Sequence, residues 1–481
     1  MRSTPGDIDL RVGAQEIAGV IPAALRGGRL LSNGPGWSVF GEWNAHPFDG
    51  HGYVRAFAFD DDGAVSVRGR YVQTAVYRDE RAAGRMVHRG FASNVGPHFW
   101  QNLSLGTPRN VANTTIIRRG ERLLAGWEAG SPYALHADTL QTIGEETFGG
   151  AIAGQATLAH MHTDNDRGRL ILCSVKNGPT ARFQFREVDS ADVVVASYDA
   201  AIKGPLFAHD FAHTENCVIV AKNPLRMRPL ELLKMAAGSS TLLRCLQTNL
   251  DEPGALCVIS RDGATVRYVT LPDTSFVVHF GNAFERADGS IVVDVCAFGR
   301  FEFGEEFGFA GPQAPYDPTL PDKRGPQRLY RVEIPAGATE ASWRLLAPHG
   351  VDFPRVHPRG EGKDVAVLFG ACRADERFSD PFDSIIRVDL RAADNDDDNG
   401  NNVALWTAGD ETVFVGEPIF VPADNDPECS DGLVLVVVSD GARALSRLVV
   451  LNANDIAAGP VADVPLPLLP VAFHGDWDPR R

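Results

Sequence analysis

Short apolar or alternating runs, separated by turn residues, make up most of this chain. Branched aliphatic and aromatic residues gather in these runs, and clusters of glycine, proline or aspartate follow each run after a short interval. Runs bounded in this way are typical of β-hairpins and meanders. Clear examples are YVRAFAF (53–59), RLILCSV (169–175), CVIVAKN (217–223) and LVLVVVSDG (433–441). The pattern predicts an all-β protein.

The density of predicted strands also indicates how the sheets close. A flat open sheet of so many strands would leave long reactive edges, and radial closure into a β-propeller protects them. With 44% hydrophobic and 22% charged residues, the 481-residue chain has an ordinary globular composition that permits a large core. No WD or kelch repeat is visible. We therefore predict one β-propeller domain over residues 1–481, with inserted cap segments.

One segment departs from the β pattern. Residues 224–247, PLRMRPLELLKMAAGSSTLLRCLQ, contain good helix formers, apolar positions such as Leu230 and Leu233, and the cations Arg226, Arg228 and Lys234. An apolar face flanked by cations is typical of a helix lying in a membrane interface. A short helix packed on the propeller would show the same pattern. The segment is thus a candidate membrane-facing element.

Charge and cysteine content narrow the partners and the compartment. A net charge of −16 disfavours nucleic acid, because a duplex binder needs a basic face. Seven scattered cysteines without a CxxC pair read as reduced thiols of a cytoplasmic protein, and no obligate protein partner is evident. The first residues do not resemble a secretory signal, and no apolar run approaches the ~20 residues that span a bilayer. The acidic run at 393–402 lacks the closing glutamate of an EF-hand and predicts a solvated turn.

Four histidines are the strongest candidates for chemistry. His160, His209, His279 and His474 each lie in a separate strand-like segment, so that only the global fold could bring them together. A site of imidazoles alone suits a borderline first-row metal, and iron, copper, zinc and nickel are all admissible. Spacing cannot choose between His160 and His162, since both would point to the same face of a strand. His213 competes with His209 in the same way.

The flanks of these histidines occur in an ordered set of motifs. Together the motifs resemble the carotenoid cleavage oxygenase family, whose members include the retinal isomerohydrolase of vertebrates and bacterial stilbene-cleaving enzymes. In chain order the matching segments are IPAALRGGRLLSNGPG, HPFDGHGYVRAFAF, NVANTTII, LLAGWEAGSPYALHADTLQT, AHMHTDNDRGRL, HDFAHTENCVIV, HFGNAFERADG, VDFPRVHPR, GEPIFVPADND and FHGDW. The resemblance spans nearly the whole chain.

The resemblance implies a seven-bladed β-propeller with iron(II) on its axis and a helical and loop cap over the active-site face. Its motif positions select His160, His209, His279 and His474 as the metal ligands, and they leave His162 and His213 without that role. Family members orient three ligand histidines with glutamates. Glu128 and Glu417 match two of these glutamates, while the third position is Asp352, which is one methylene shorter.

The resemblance further implies cleavage of one carbon–carbon double bond of a carotenoid or apocarotenoid by dioxygen, which gives two carbonyl products. Trp127 and Phe207 are the expected aromatic walls for a long polyene, and Thr114 is expected at the open side of the metal. Such a polyene must be drawn from a membrane, which favours peripheral association. Two alternatives stay open: a dioxygenase that cleaves stilbenes or phenylpropenoids, and a propeller that binds isoprenoids without catalysis. Stilbene-cleaving members carry a lysine where this chain has Trp127, and no tyrosine occurs between Tyr77 and Tyr133.

Overall fold

The computed structural model describes residues 6–41, 43–103, 109–128, 130–204, 206–301, 326–378, 381–394, 402–409 and 412–479. Of the predicted acidic turn, residues 395–401 lie outside the described residues.

Strands dominate the described part of the chain. Those in the first half are β1 (Ile8–Val12), β2 (Ala18–Gly19), β3 (Arg29–Asn33), β4 (Pro35–Trp37), β5 (Val39–Phe40), β6 (Trp43–Asn44), β7 (His51–Phe59), β8 (Val65–Tyr71), β9 (Thr115–Arg119), β10 (Arg122–Gly126), β11 (Tyr133–His136), β12 (Thr142–Glu145), β13 (His162–Asp164), β14 (Arg169–Lys176), β15 (Thr180–Val188), β16 (Val194–Lys203), β17 (Phe211–His213) and β18 (Cys217–Lys222). Those that follow are β19 (Leu225–Met227), β20 (Leu246–Thr248), β21 (Ala255–Ser260), β22 (Val266–Thr270), β23 (Phe276–Glu285), β24 (Ile291–Phe298), β25 (Arg328–Ile334), β26 (Ser342–Arg355), β27 (Val367–Cys372), β28 (Ser384–Asp389), β29 (Val403–Thr407), β30 (Val413–Val415), β31 (Ile419–Pro422), β32 (Gly432–Asp440), β33 (Leu445–Asn452), β34 (Pro460–Pro467) and β35 (His474–Asp478).

Antiparallel meanders join these strands into larger sheets. Sheet I has the order β1-β8-β7-β3-β35, with β4 added on β7. Sheets II, III and IV have four strands each, in the orders β12-β11-β10-β9, β13-β14-β15-β16 and β17-β18-β21-β22. Sheet V runs from β23 to β29 in chain order, and sheet VI is β2-β34-β33-β32-β30, with β31 on β32. Two short ribbons, β5-β6 and β19-β20, complete the pairing among the described strands.

The chain ends are tied into the same sheets. β35 pairs with β3, so that His474 lies opposite Asn33, and β2 pairs with β34. Within sheet V the long strand β26 changes partner along its length. Its first part pairs with β25 up to Gly350, and its last part, from Val351, pairs with β27.

Apolar clusters pack each sheet against the next and return to the first sheet. Phe57 and Val67 of sheet I belong to the same apolar cluster as Leu435 and Val464 of sheet VI. The other clusters, in order around the molecule, contain Val54 and Leu123, Leu124 and Leu172, Phe183 and Ile259, Ile219 and Val293, Leu329 and Leu368, and Phe369 and Val436. Leu329 and Leu368 both belong to sheet V, on either side of β26. Burial of apolar surface between sheets is the main stabilising contribution here, at ~25 cal/mol per Å². The mostly β prediction is confirmed.

The helices within the described residues are short and lie outside the sheets. They are α1 (Ala75–Ala83), α2 (Pro229–Ala236), α3 (Leu242–Cys245) and α4 (Leu390–Asp394), with 3₁₀ turns at Ala14–Glu16, Ala23–Leu25, Pro47–Asp49, Phe99–Asn102 and Ile456–Ala458. The alternation pattern missed α1, which Thr74 caps at its start through a bond from Tyr77 N and Gly84 ends with a left-handed φ of 63°. The predicted helical segment 224–247 holds α2 and α3, flanked by β19 and β20. Across the described helices, none is long and apolar enough to cross a bilayer.

Candidate metal centre

The four candidate histidines converge. One ring nitrogen from each of His160, His209, His279 and His474 lies within 4.8 Å of those of the other three. Nε2 of His160 lies 3.3 Å from Nε2 of His209. An ion about 2.1 Å from every nitrogen requires separations of roughly 3 to 4.2 Å. The cluster is therefore close to the size that one first-row metal ion needs.

Two of the histidines lie in strands, and the other two lie just before strands. His160 and His209 lie two residues before the first residues of β13 and β17. His279 lies inside β23, and His474 is the first residue of β35. β13, β17 and β23 are edge strands of their sheets, and β17 contacts both of the others. Their ends thus deliver side chains to one point.

Three of the imidazoles are held by carboxylates through Nδ1. His279 Nδ1 lies 2.6 Å from Asp352 Oδ1, and His474 Nδ1 lies 2.9 Å from Glu417 Oε1. His209 Nδ1 makes the equivalent bond to Glu128. A carboxylate on Nδ1–H fixes the tautomer and leaves Nε2 as a lone-pair donor. All three predicted carboxylates therefore reach the predicted histidines.

Asp352 reaches its histidine because the backbone of β26 bends at this point. The register of β26 against β27 shifts between Asp352 and Arg355, and Phe353 has a left-handed φ of 51°. Such a conformation is strained for a non-glycine residue. The Phe353 ring lies 5.6 Å from the ring of His279 and 5.2 Å from that of His474. Sequence reasoning missed this ring, although it lies in the quoted motif VDFPR.

Glu417 holds more than one group. Its Oε2 accepts the backbone N–H of Gly475 at 2.7 Å, and the Arg355 guanidinium lies 3.1 Å from Oε1. Although burial opposes ionisation, Arg355 and His474 hold the pKa of Glu417 below its ordinary value. The ionised carboxylate therefore anchors both the side chain of His474 and the backbone that follows it.

The donor atoms fit a metal ion. Within the described residues, His279 Nε2 is buried and has no hydrogen-bond partner, which is costly unless a ligand satisfies it. Burial, with a smaller effect from the neighbouring imidazoles, lowers the pKa of His160 well below its ordinary value, and burial also lowers that of His474. Metal binding requires neutral imidazoles of this kind.

The rejected histidines form a second group beside the first. His162 Nε2 lies 2.9 Å from Asp210 Oδ1, and its Nδ1 lies 3.3 Å from Glu361 Oε2. His213 Nε2 is 3.8 Å from the same Glu361 oxygen. His160, His162 and Asp210 could by themselves hold an ion. Asp210 lies in the motif HDFAHTENCVIV, but no role was predicted for it.

The structure describes the surroundings of all three predicted pocket residues. Thr114 is buried and its carbonyl accepts the backbone N–H of His474 at 3.3 Å. Trp127 is buried and directly precedes Glu128. Phe207 belongs to an aromatic cluster that joins β19, β20 and α3 to the strand of His279, with its ring 6.0 Å from that of Phe276.

Fold and site together define a protein of linked β-sheets with an all-histidine group that could bind a metal. Residues 4–479 match the family model RPE65, described as retinal pigment epithelial membrane protein. The apocarotenoid-15,15'-oxygenase of Synechocystis sp. is 30% identical, over 99% of this chain and 94% of its own. An isoeugenol monooxygenase of Pseudomonas nitroreducens is 29% identical, over 97% of this chain and 94% of its own.

The cobalt-substituted Synechocystis ACO structure, a β-propeller, superposes with a TM-score of 0.87 at 29% identity, covering 99% of this chain and 97% of that one. The chain belongs to the RPE65 family of carotenoid cleavage oxygenases, and the resemblance is confirmed.

Proposed function

We propose that this protein is a non-haem iron(II) dioxygenase that cleaves one double bond of a carotenoid or apocarotenoid into two carbonyl products. The observation that carries the proposal is the convergence of four imidazoles, three of them bonded to carboxylates. The similarity to the Synechocystis apocarotenoid oxygenase supports the substrate class.

The proposal includes the architecture. The apolar interfaces that link sheets I to VI in a closed circuit, together with the change of partner along β26, support a single seven-bladed propeller over the whole chain. In this arrangement sheet V is two blades that share β26. The metal would lie on the axis, where the starts of β13, β17, β23 and β35 meet, and the segment with α2 and α3 would belong to the cap.

Each residue of the site has a proposed role in this reaction. His160, His209, His279 and His474 would hold iron(II), while Glu128, Asp352 and Glu417 fix the planes and tautomers of three of them. Iron(II) bound there supplies the one-electron chemistry that ground-state dioxygen needs. Thr114 would limit solvent at the open side, and Trp127 and Phe207 would form aromatic walls for the polyene. Both oxygen atoms of dioxygen end in the two carbonyl products, so the reaction needs no further reductant.

A phenylpropenoid substrate is the second candidate. The similarity to an isoeugenol monooxygenase favours it, because that enzyme matches nearly the whole chain. The side chains near the site favour the polyene. Trp127 stands where stilbene-cleaving members carry a lysine, and the cluster around Phe207 is aromatic and aliphatic. A long apolar chain gains affinity by burial against such walls.

The deciding experiment is a product analysis. Protein prepared without metal, reconstituted with iron(II) under nitrogen and exposed to ¹⁸O₂ should convert an apocarotenal into two labelled carbonyl products. Turnover of isoeugenol or resveratrol alone would select the second candidate. Tight binding of the apocarotenal with no product from any substrate would indicate a binding protein and refute the enzyme.

We also propose that the protein docks on membranes through an apolar face. This face consists of exposed side chains from the 3₁₀ turn after residue 98 and from α2 and α3, namely Phe99, Trp100, Leu103, Leu230, Leu233 and Leu242. Asn102 Nδ2 donates to Gly238 O at 3.0 Å, which ties the two segments together. Exposed Arg226, Lys234 and Arg244 lie on the same segment. Apolar side chains beside cations suit an anionic membrane surface.

Flotation tests the docking. The protein should float with vesicles of phosphatidylcholine and phosphatidylglycerol and less with phosphatidylcholine alone. Failure to float with either vesicle would refute the membrane contact and leave the enzymatic proposal intact.

A further inference from the structure

One buried carboxylate, that of Asp210, lies close to three of the four candidate ligand histidines. Asp210 directly follows His209 and is 3% exposed. Its Oδ2 accepts the backbone N–H of Phe280 at 2.9 Å, and Phe280 directly follows His279. Asp210 therefore ties the chain after the second histidine to the chain after the third.

The Asp210 carboxylate also lies near a third candidate ligand, His160. Asp210 Oδ1 lies 3.7 Å from His160 Nδ1, which is beyond hydrogen-bonding distance but within strong electrostatic contact in a buried site. Among the described residues, His160 differs from the other three histidines in having no carboxylate bonded to Nδ1. A negative charge at Nδ1 favours the tautomer that carries its proton there and leaves Nε2 for a metal.

Neighbouring N–H donors fix the position of the Asp210 carboxylate. His162 Nε2 donates to Oδ1 at 2.9 Å, and Phe211 N donates to the same oxygen at 2.8 Å. His162 in turn lies 3.3 Å from Glu361 and packs edge-on against the Phe211 ring at 4.6 Å. Three N–H donors therefore hold the Asp210 carboxylate in its orientation towards His160.

These bonds also argue against Asp210 as a metal ligand. Three N–H donors already occupy its two oxygens, whereas His279 Nε2 is buried and has no hydrogen-bond partner in the described chain. An ion shared by His160, His162 and Asp210 would have to displace the bond from His162.

We propose that Asp210 is a positioning residue of the four-histidine centre. It aligns His160 by charge and holds the backbone at His209 and His279 in register, and His162 serves as its support. This inference rests on the proposed function, because it assumes that the four histidines bind a metal.

Cobalt(II) titration of the metal-free protein tests the proposal, with the visible ligand-field bands and the dissociation constant as readouts. Asp210→Asn should weaken cobalt binding about 10- to 100-fold and shift the bands. His162→Leu should weaken binding less, and His162→Gln should restore it because the amide can still donate to Asp210. Asp164→Asn is the matched control: this buried carboxylate bonds Arg167 and Arg261, and it should leave the bands unchanged.

The outcomes separate the two proposals. Wild-type affinity and bands in folded Asp210→Asn would overturn the positioning role and leave the metal centre standing. If Asp210→Asn does not fold, the His162 pair decides, and equal affinity of His162→Leu and wild type would overturn it. Absence of cobalt binding by the wild type, or binding unaffected by His279→Ala, would instead refute the metal centre itself.

Discussion

The histidine cluster and the apolar face differ in how the chain builds them. The cluster draws one residue each from β23, β35 and the segments before β13 and β17, and it needs every intervening sheet in place. The apolar face needs two short segments joined by a few bonds such as Asn102 to Gly238. The first is buried at His279 and His474, half-buried at His160 and His209, and rich in polar contacts, whereas the second is exposed and apolar. Chemistry and access to substrate are therefore separable, and mutations should affect one without the other.

The largest effect is expected from removing a histidine of the cluster. His209→Ala should lower turnover of a detergent-dispersed apocarotenal by about 10³-fold or more, because a metal ion contributes several kcal/mol to such a reaction. Vesicle flotation should stay unchanged. Activity is measured by product chromatography. Full activity in His209→Ala would contradict both the proposed metal centre and the proposal that chemistry and membrane docking are separable.

The apolar face should respond in the opposite way. Leu230→Glu combined with Leu233→Glu should weaken vesicle binding at least about 100-fold, since both side chains, 63% and 70% exposed, would lose apolar burial. Turnover of dispersed substrate should stay within about twofold. Leu345→Glu with Leu445→Glu is the matched control on similarly exposed leucines, 47% and 49%. Equal loss of binding in the control would mean that charge alone, rather than this face, sets the affinity.

Within the histidine cluster, Asp352 is expected to contribute to metal affinity by orienting one ligand. Asp352→Ala should weaken cobalt or iron binding about 10- to 100-fold, since it removes the 2.6 Å bond that orients His279. Asp352→Asn keeps an acceptor oxygen and should lose less. Asp288→Ala, in an exposed turn, is the control for a lost negative charge. Titration of each variant with cobalt(II) and with iron(II) measures the metal affinity. Unchanged affinity in Asp352→Ala would show that the Asp352 carboxylate is not needed for metal binding.

Phe207 lies between the two regions and should show the smallest effect. Phe207→Ala removes part of the aromatic cluster and should lower kcat/KM for an apocarotenal about tenfold, chiefly through KM. Phe207→Leu retains apolar volume and should lose less. A loss of kcat with constant KM would place this ring at the reacting bond instead of along the substrate path.

Much of the site could be read from the chain, since each motif carries its own flanking residues. HDF selected His209 over His213, and AHxxxD selected His160 over His162. The helix α1 was missed because its Thr74 cap and Gly84 stop lie between strong strand patterns. Asp210 was missed because its partners, His162 and the amide of Phe280, are remote in sequence. No local pattern reports such a contact.

The sequence by itself determined the mostly β character, the family and the identity of the four histidines, because strand periodicity and motif residues are local properties of the chain. Tertiary structure alone decided whether Asp352 reaches His279, that Phe353 packs against two imidazoles, and that Asp210 links three of the candidate ligands. These outcomes depend on the β26 bulge and on how the edge strands approach one another. A few tenths of an ångström decide such contacts, and only the packing of every sheet sets distances that finely.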